Sequence, residues 1–114
     1  MAINPKQLLP ATYLAGAVAE LFTVDSAPTK YWIITEIRLN NIDTVEHTFT
    51  MHAYPTGGAV SNENKLYDTI TIQPSGAEPV VYSCFIVLNP GDVVEAFADT
   101  ADKVSIFMSG QKWT

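Results

Sequence analysis

Cysteine and positive charge are scarce in this 114-residue sequence, and each shortage excludes a class of protein. Cys84 is the only cysteine, so no disulfide can form within the chain, and the framework is not that of a disulfide-rich secreted domain. Arg38 is the only arginine, the lysines stand singly, and the net charge is −6. Because binding to phosphate backbones needs a basic patch, we expect no direct contact with DNA or RNA.

Long apolar runs are also missing from the sequence. No segment reaches the ~20 apolar residues that a membrane helix needs, so no membrane partner is expected. Near the N-terminus, Pro5 and Pro10 interrupt the apolar residues and no basic region precedes them, so we expect no signal peptide. These two expectations predict synthesis in a cytoplasm without export.

Residues suited to catalysis or metal binding are few. The only histidines, His47 and His52, lie five positions apart, which in a strand places them on opposite faces, where they share no metal or proton relay. His52 falls on the polar face of its predicted strand, which indicates a surface residue. The acidic residues between 92 and 102 lack the spacing of a calcium loop and are interpreted as a solvated rim. We therefore predict no enzyme activity, no metal and no cofactor.

The sequence contains, instead, short β-rich segments separated by turns. Residues 80–88 and 93–98 are rich in valine, isoleucine and aromatic residues. They meet at residues 89–92 (Asn-Pro-Gly-Asp), where proline followed by glycine favours a type II turn. We interpret the two segments as adjacent antiparallel strands.

Turn signals recur about every 8 to 12 residues, the spacing of an all-β sandwich or barrel. The alanine-rich residues 15–19 favour either the first strand or one helical turn. Residues 12–114 are predicted to form one antiparallel β-sandwich of about seven to eight strands, after an extended N-terminal arm at residues 1–11. The other predicted strands are 17–24, 30–40, 46–54, 66–72 and 103–110, of which 30–40 and 46–54 are predicted to pair as a hairpin.

Strict alternation of side chains along a strand predicts which of them face the core. On this basis Ile33 and Ile37 lie on the core face of their strand, whereas Trp32 and Ile34 share the opposite face with charged residues. The same argument directs Tyr54 and Tyr67 outward. Alternation therefore predicts that the aromatic residues Trp32, Tyr54 and Tyr67 point away from the core.

Four segments carry a likeness to a known group of proteins: 31–41 (YWIITEIRLNN), 71–76 (TIQPSG), 87–94 (VLNPGDVV) and 104–110 (VSIFMSG). With them, residues 10–114 resemble the small β-sandwich structural proteins of tailed-bacteriophage virions. The resemblance implies a jelly-roll-like sandwich with a passive role in the capsid surface, neck or tail, and it carries over no catalytic residue. It also implies a virion protein made in the cytoplasm of the host bacterium.

Assembly through protein contacts is the function that this resemblance implies. The expected partners are copies of the chain itself, arranged as a trimer or ring, and other virion proteins. Extended arms can add a strand to a neighbour's sheet edge, so the arm is expected to dock on another subunit. The predicted contact residues are Ile3, Pro5 and Leu8 in the arm, Gly57, Gly58 and Asn62 in a long loop, and Trp113 near the C-terminus.

An alternative function is a carbohydrate-binding or receptor-binding module of a phage tail, whose partner would be a glycan. Trp32, Tyr54 and Tyr67 are the aromatic residues that would form its sugar platform. This alternative requires the three side chains to form one exposed cluster.

Overall fold

The computed structural model describes residues 3–26, 29–76 and 78–114, without the side chains of residues 3–5, and over these residues the chain forms eight strands and no helix. The predicted all-β class is therefore confirmed, and residues 15–19 form no helical turn. The strands are β1 (Ile3–Tyr13), β2 (Ala19–Thr23), β3 (Tyr31–Asn41), β4 (His47–Tyr54), β5 (Lys65–Ile72), β6 (Val80–Leu88), β7 (Val93–Ala98) and β8 (Val104–Trp113).

The strands form two four-stranded antiparallel sheets. Sheet I has the order β1-β8-β3-β6, and sheet II has the order β2-β7-β4-β5. Each sheet places apolar side chains on its inner face, where Ile34, Leu39, Phe49 and Met108 are fully buried. The predicted antiparallel β-sandwich is confirmed.

The strand order follows from rolling up one long antiparallel ribbon. In that ribbon β1 pairs with β8, β2 with β7, β3 with β6, and β4 with β5. Rolling the ribbon then brings β3 beside β8 and β4 beside β7. Eight strands connected in this way form a jelly roll.

This topology corrects the two strand pairs that we predicted from local turns. The turn at residues 89–92 forms as predicted: Gly91 has a φ of 88°, and the Asp92 amide donates to the Asn89 carbonyl at 3.0 Å. However, β6 and β7 lie in different sheets, and so do β3 and β4, so neither pair is a hairpin. Turn chemistry specifies a reversal of the chain, but it does not specify whether the next strand joins the same sheet.

The predicted arm is an edge strand of sheet I. Strand β1 runs antiparallel to β8 from Ile3, opposite Trp113, to Tyr13, opposite Ser105. It crosses the boundary predicted at residue 11 without a break, and it docks on its own chain. Residues 1 and 2 of the predicted arm lie outside the described residues, as do Ala27 and Pro28 in the connection between β2 and β3.

Irregular pairing in β3 overturns the predicted facing of its side chains. Trp32 and Ile34 are buried in the core, and so is Ile37. Ile34 is opposite Gly110 and Glu36 is opposite Ser109, so β3 has one residue more than β8 between these pairs. One extra residue exchanges the two faces of a strand, which explains this arrangement. The prediction from strict alternation was wrong for Trp32 and Ile34.

A bulge in β5 has the same effect on Tyr67. Met51 is opposite Tyr67 and Phe49 is opposite Ile70, so β5 has one residue more than β4 between these pairs. Thr69 takes a φ of 50°, which is rare for a β-branched residue, and its amide donates to the Thr50 hydroxyl at 3.0 Å. Tyr67 consequently packs against the core, where its ring lies 5.0 Å from that of Tyr82.

Sheet I is closely packed around Gly110 of β8. A Cβ atom on Gly110 would lie 1.9 Å from the carbonyl oxygen of Ile33 and 2.9 Å from a methyl carbon of Leu8. Only glycine can occupy this position, because the first of these neighbours belongs to the backbone of β3 and cannot rotate away.

We predict that Gly110→Ala destabilises the fold by about 3 kcal/mol, because a forced backbone shift in a packed sheet costs about this much. Urea unfolding measures the change. Ser105→Ala, on the same strand, is the control and should change the free energy of unfolding by less than about 0.5 kcal/mol. Equal stability of the two variants would contradict the packing described here.

Candidate functional site

The contacts predicted in the arm are not presented together at the surface. Leu8 is buried in the core of its own chain and lies against Gly110. The side chains of Ile3 and Pro5 lie outside the described residues, although their backbone belongs to β1. Sequence reasoning missed this burial because it interpreted the proline-containing segment as a separate arm.

The long loop with the predicted contacts Gly57, Gly58 and Asn62 connects β4 to β5. Gly57 has a φ of 89°, a conformation that favours glycine, and nothing lies within 4 Å of where its Cβ would be. Gly58 packs closely on Tyr54. Asn62 is exposed, so of these three residues it is the one whose side chain can contact a partner.

Trp113 lies within the last strand and not beyond it. Strand β8 continues to this residue, where the indole stacks on Tyr31 with the ring centroids 5.2 Å apart. The side chain is half-buried, so part of its surface packs against the end of its own sheet. The backbone of Ile3 lies opposite Trp113 in sheet I, whereas the loop with Asn62 connects two strands of sheet II. The predicted contact residues are therefore divided between the two sheets.

The three aromatic residues of the alternative function do not form an exposed cluster. Trp32 is buried, with the amine of Lys112 4.1 Å from its ring centroid. Tyr67 faces the core, and Tyr54 is half-buried with its hydroxyl donating to Glu95. This hydrogen bond raises the pKa of Tyr54 to about 12. The predicted sugar platform is therefore not present on these three residues.

An apolar surface that we did not predict lies on the outer face of β6. Val81 is 48% exposed, Phe85 is 73% exposed and Val87 is 50% exposed. Ser83 is exposed on the same face, whereas Tyr82, Cys84 and Ile86 pack against the core. Phe85 has the most exposed large hydrophobic side chain in the part of the chain that the structure describes. Surface phenylalanines at this exposure are characteristic of contact sites when they belong to a larger apolar patch.

The same strand is an edge of sheet I. Strand β6 pairs with β3 on one side, and among the described residues no strand pairs with its other side. Its nine residues include no charge and no proline, which are two of the devices that usually protect a sheet edge from pairing with another chain. Its one irregularity in the pairing with β3 is an extra residue between Ser83, which is opposite Glu36, and Ile86, which is opposite Ile34.

The charges beside this strand cancel each other. Arg38 and Glu36 on β3 form an ion pair at 3.0 Å, and they lie opposite Val81 and Ser83 of β6. The chain as a whole carries a net charge of −6. The outer face and the free edge of β6 therefore form a neutral, apolar region on an acidic protein. We call this region the β6 surface.

A second surface feature is a polar groove of about 490 Å³ on sheet II. It lies beneath the loop between β4 and β5 and is lined by Thr50, His52, Asn62, Lys65 and Phe97, among others. His52 is buried, which corrects its predicted surface position, and its Nδ1 atom has no hydrogen-bond partner among the described residues. Burial lowers the pKa of His52 and so favours the neutral ring.

His47 connects two loops at one end of the sandwich. Its Nε2 atom lies 2.8 Å from a carboxylate oxygen of Asp43, and its Nδ1 atom lies 2.7 Å from one of Asp99. Because carboxylates accept hydrogen bonds from both ring nitrogens, the charged imidazolium is favoured, and the bond to Asp43 raises the pKa of His47. A ring with both nitrogens occupied stabilises these loops and offers no free base to a nucleophile.

The acidic residues between 92 and 102 do not converge on one point. Asp99 binds His47, Glu95 accepts from Tyr54, and Asp92 accepts from the amide of Asn89. Over residues 3–26, 29–76 and 78–114, no group of three or more histidine, cysteine, aspartate or glutamate side chains is arranged to hold a metal ion.

Comparison of the chain with protein-family models, curated proteins and solved structures finds no match. The resemblance to phage virion proteins therefore stays a prediction. No helix in the described part of the chain is long and apolar enough to cross a membrane.

We predict that the stabilisation from His47 is full below its ordinary pKa of about 6.5 and is lost as pH rises through its raised pKa in the folded state. The measurement is the melting temperature of wild type and of His47→Gln between pH 5 and 9. The difference between the two should be largest at low pH and should shrink as pH rises.

His52→Gln is the control for this experiment. Because the pKa of His52 is lowered, its contribution is lost as pH falls, so its difference from wild type should change with pH in the opposite sense. A His47→Gln difference that is constant across this range would contradict a charged His47 between two carboxylates.

Proposed function

We propose that this protein is a non-enzymatic structural subunit of a tailed-phage virion, in capsid decoration or in the neck or tail, and that it acts by assembling with copies of itself and with other virion proteins. The resemblance of residues 10–114 to small virion β-sandwich proteins supports this proposal, and so does the jelly-roll topology. Viral capsid proteins are among the groups that use this topology, although they share it with lectins and cupins.

The observation that carries the proposal is the β6 surface. Val81, Phe85 and Val87 form an apolar row on a strand whose outer edge has no strand partner among the described residues. Exposed apolar side chains and open backbone groups together favour association with another chain. A protein that acts by assembly needs such a surface, whereas a monomeric protein would be expected to protect this edge with charge.

Homomeric assembly is the form of association that the proposal favours. Soluble oligomers are mostly symmetric and closed, a class that includes the predicted trimer or ring as well as the commoner two-fold dimer. The β6 surface carries no net charge, so copies with a charge of −6 can approach each other there with little repulsion.

We predict that wild-type protein forms oligomers whose mass rises with concentration, and that Phe85→Asp weakens this association at least about tenfold. The expected size of this effect follows from the loss of a buried phenylalanine side chain, whose burial contributes roughly 1.5–3 kcal/mol to the association. Light scattering over a series of concentrations measures the effect.

Val45→Asp is the matched control, because Val45 is 56% exposed in the connection between β3 and β4 and the substitution adds the same charge. It should leave the association unchanged. Both variants should melt close to wild type, since both side chains are largely exposed. Wild-type protein that stays monomeric throughout, or equal weakening by both variants, would contradict assembly through β6.

A further inference from the structure

We propose that two copies of this chain pair their β6 strands antiparallel about a two-fold axis at Cys84, so that their two copies of sheet I form one continuous eight-stranded sheet. This inference rests on the proposed function, because it names the partner and the geometry for the β6 surface. Two-fold symmetry is the commonest closed symmetry of homo-oligomers. Such a dimer can itself be a building unit of a larger ring.

The backbone of β6 supplies the first argument. Its outer edge has no strand partner within the described part of the chain, so its free N–H and C=O groups are open to another strand. An added strand gains main-chain hydrogen bonds along its whole length without needing a deep pocket. The nine residues of β6, Val80–Leu88, are long enough for such bonds on both sides of the register shift between Ser83 and Ile86.

The distribution of charge favours a second copy as the occupant of this edge. Each copy of the chain has a net charge of −6, so two copies repel each other wherever their acidic surfaces meet. Strand β6 has no charged residue, and Glu36 and Arg38 beside it neutralise each other at 3.0 Å. The β6 surface is thus one where two identical acidic chains meet without repulsion.

The order of the outward side chains makes β6 complementary to itself. In antiparallel pairs, residues directly opposite each other point to the same face. With Cys84 opposite Cys84 of the second copy, all nine residues are paired, Val81 lies opposite Val87, and Ser83 lies opposite Phe85. The small serine leaves room for the phenyl ring, and the two Phe85 rings lie diagonally across the axis, within reach of each other.

Other registers are less favourable on the same grounds. Moving the axis to Ser83 or to Phe85 shortens the paired region, because residues at one end of β6 then have no partner. Moving it by half a residue places the outer face of one copy beside the core-facing side chains of the other. The register centred on Cys84 is therefore the one that the strand specifies.

The test uses cysteines at outward positions in chains that carry Cys84→Ser. One chain carries Val81→Cys and the other carries Val87→Cys, at side chains that are about half exposed and so tolerate replacement. Directly opposite residues lie about 4.5–5.5 Å apart between Cα atoms, which a disulfide can span. The mixed chains should form a reducible dimer under mild oxidation. This dimer should not form when either chain is oxidised alone, because residues 81 and 87 each lie opposite the other and not opposite their own copy.

Three other results would overturn the inference, and the first two separate its failure from failure of the proposed function. Oligomers in light scattering without cross-linking of the mixture would refute the β6 pairing but leave assembly standing. Monomers at every concentration would refute both. Equal cross-linking of each chain alone and of the mixture would indicate another register or random collision, and would also refute the two-fold at Cys84.

Discussion

The antiparallel pairing of β8 with β3, held close by Gly110, is the interaction on which the rest of the structure depends. The near-contact between Gly110 and the Ile33 carbonyl permits only glycine. Strand β1 then closes the other side of β8, which buries Leu8. Because β8 and β3 occupy the centre of sheet I, β6 remains at the edge, and its outward Phe85 remains exposed. The surface proposed for assembly is thus a consequence of the strand order.

Strand positions could be predicted from the sequence because apolar segments and turn residues mark them locally. Strands β6 and β7 were predicted with their observed bounds, and the turn at Gly91 forms as expected. Strand pairing could not be predicted in this way, since the connections after β3 and β6 cross between sheets. Nor could local alternation reveal the extra residue in β5 that turns Tyr67 toward the core, because a bulge depends on the opposing strand.

The candidate site was harder to predict from the sequence than the fold was. The absence of charge in β6 is visible in residues 80–88, but only the topology shows that this strand is an edge whose alternate side chains are exposed. Leu8, predicted as a partner contact, is instead buried in its own core. His52, predicted at the surface, is buried beside a polar groove. In each case the deciding factor is a neighbour far away in the sequence.

The neutral, apolar edge of this acidic jelly roll supports the proposal that the protein is a subunit that acts through contacts between chains. The measurement that tests this account most directly is quantitative mass spectrometry of purified tailed particles from the cells that encode the protein. The account predicts that the protein is present in every intact particle, at a fixed ratio to the other virion proteins. Complete particles that lack it, with the protein found only in the cell extract, would contradict the account.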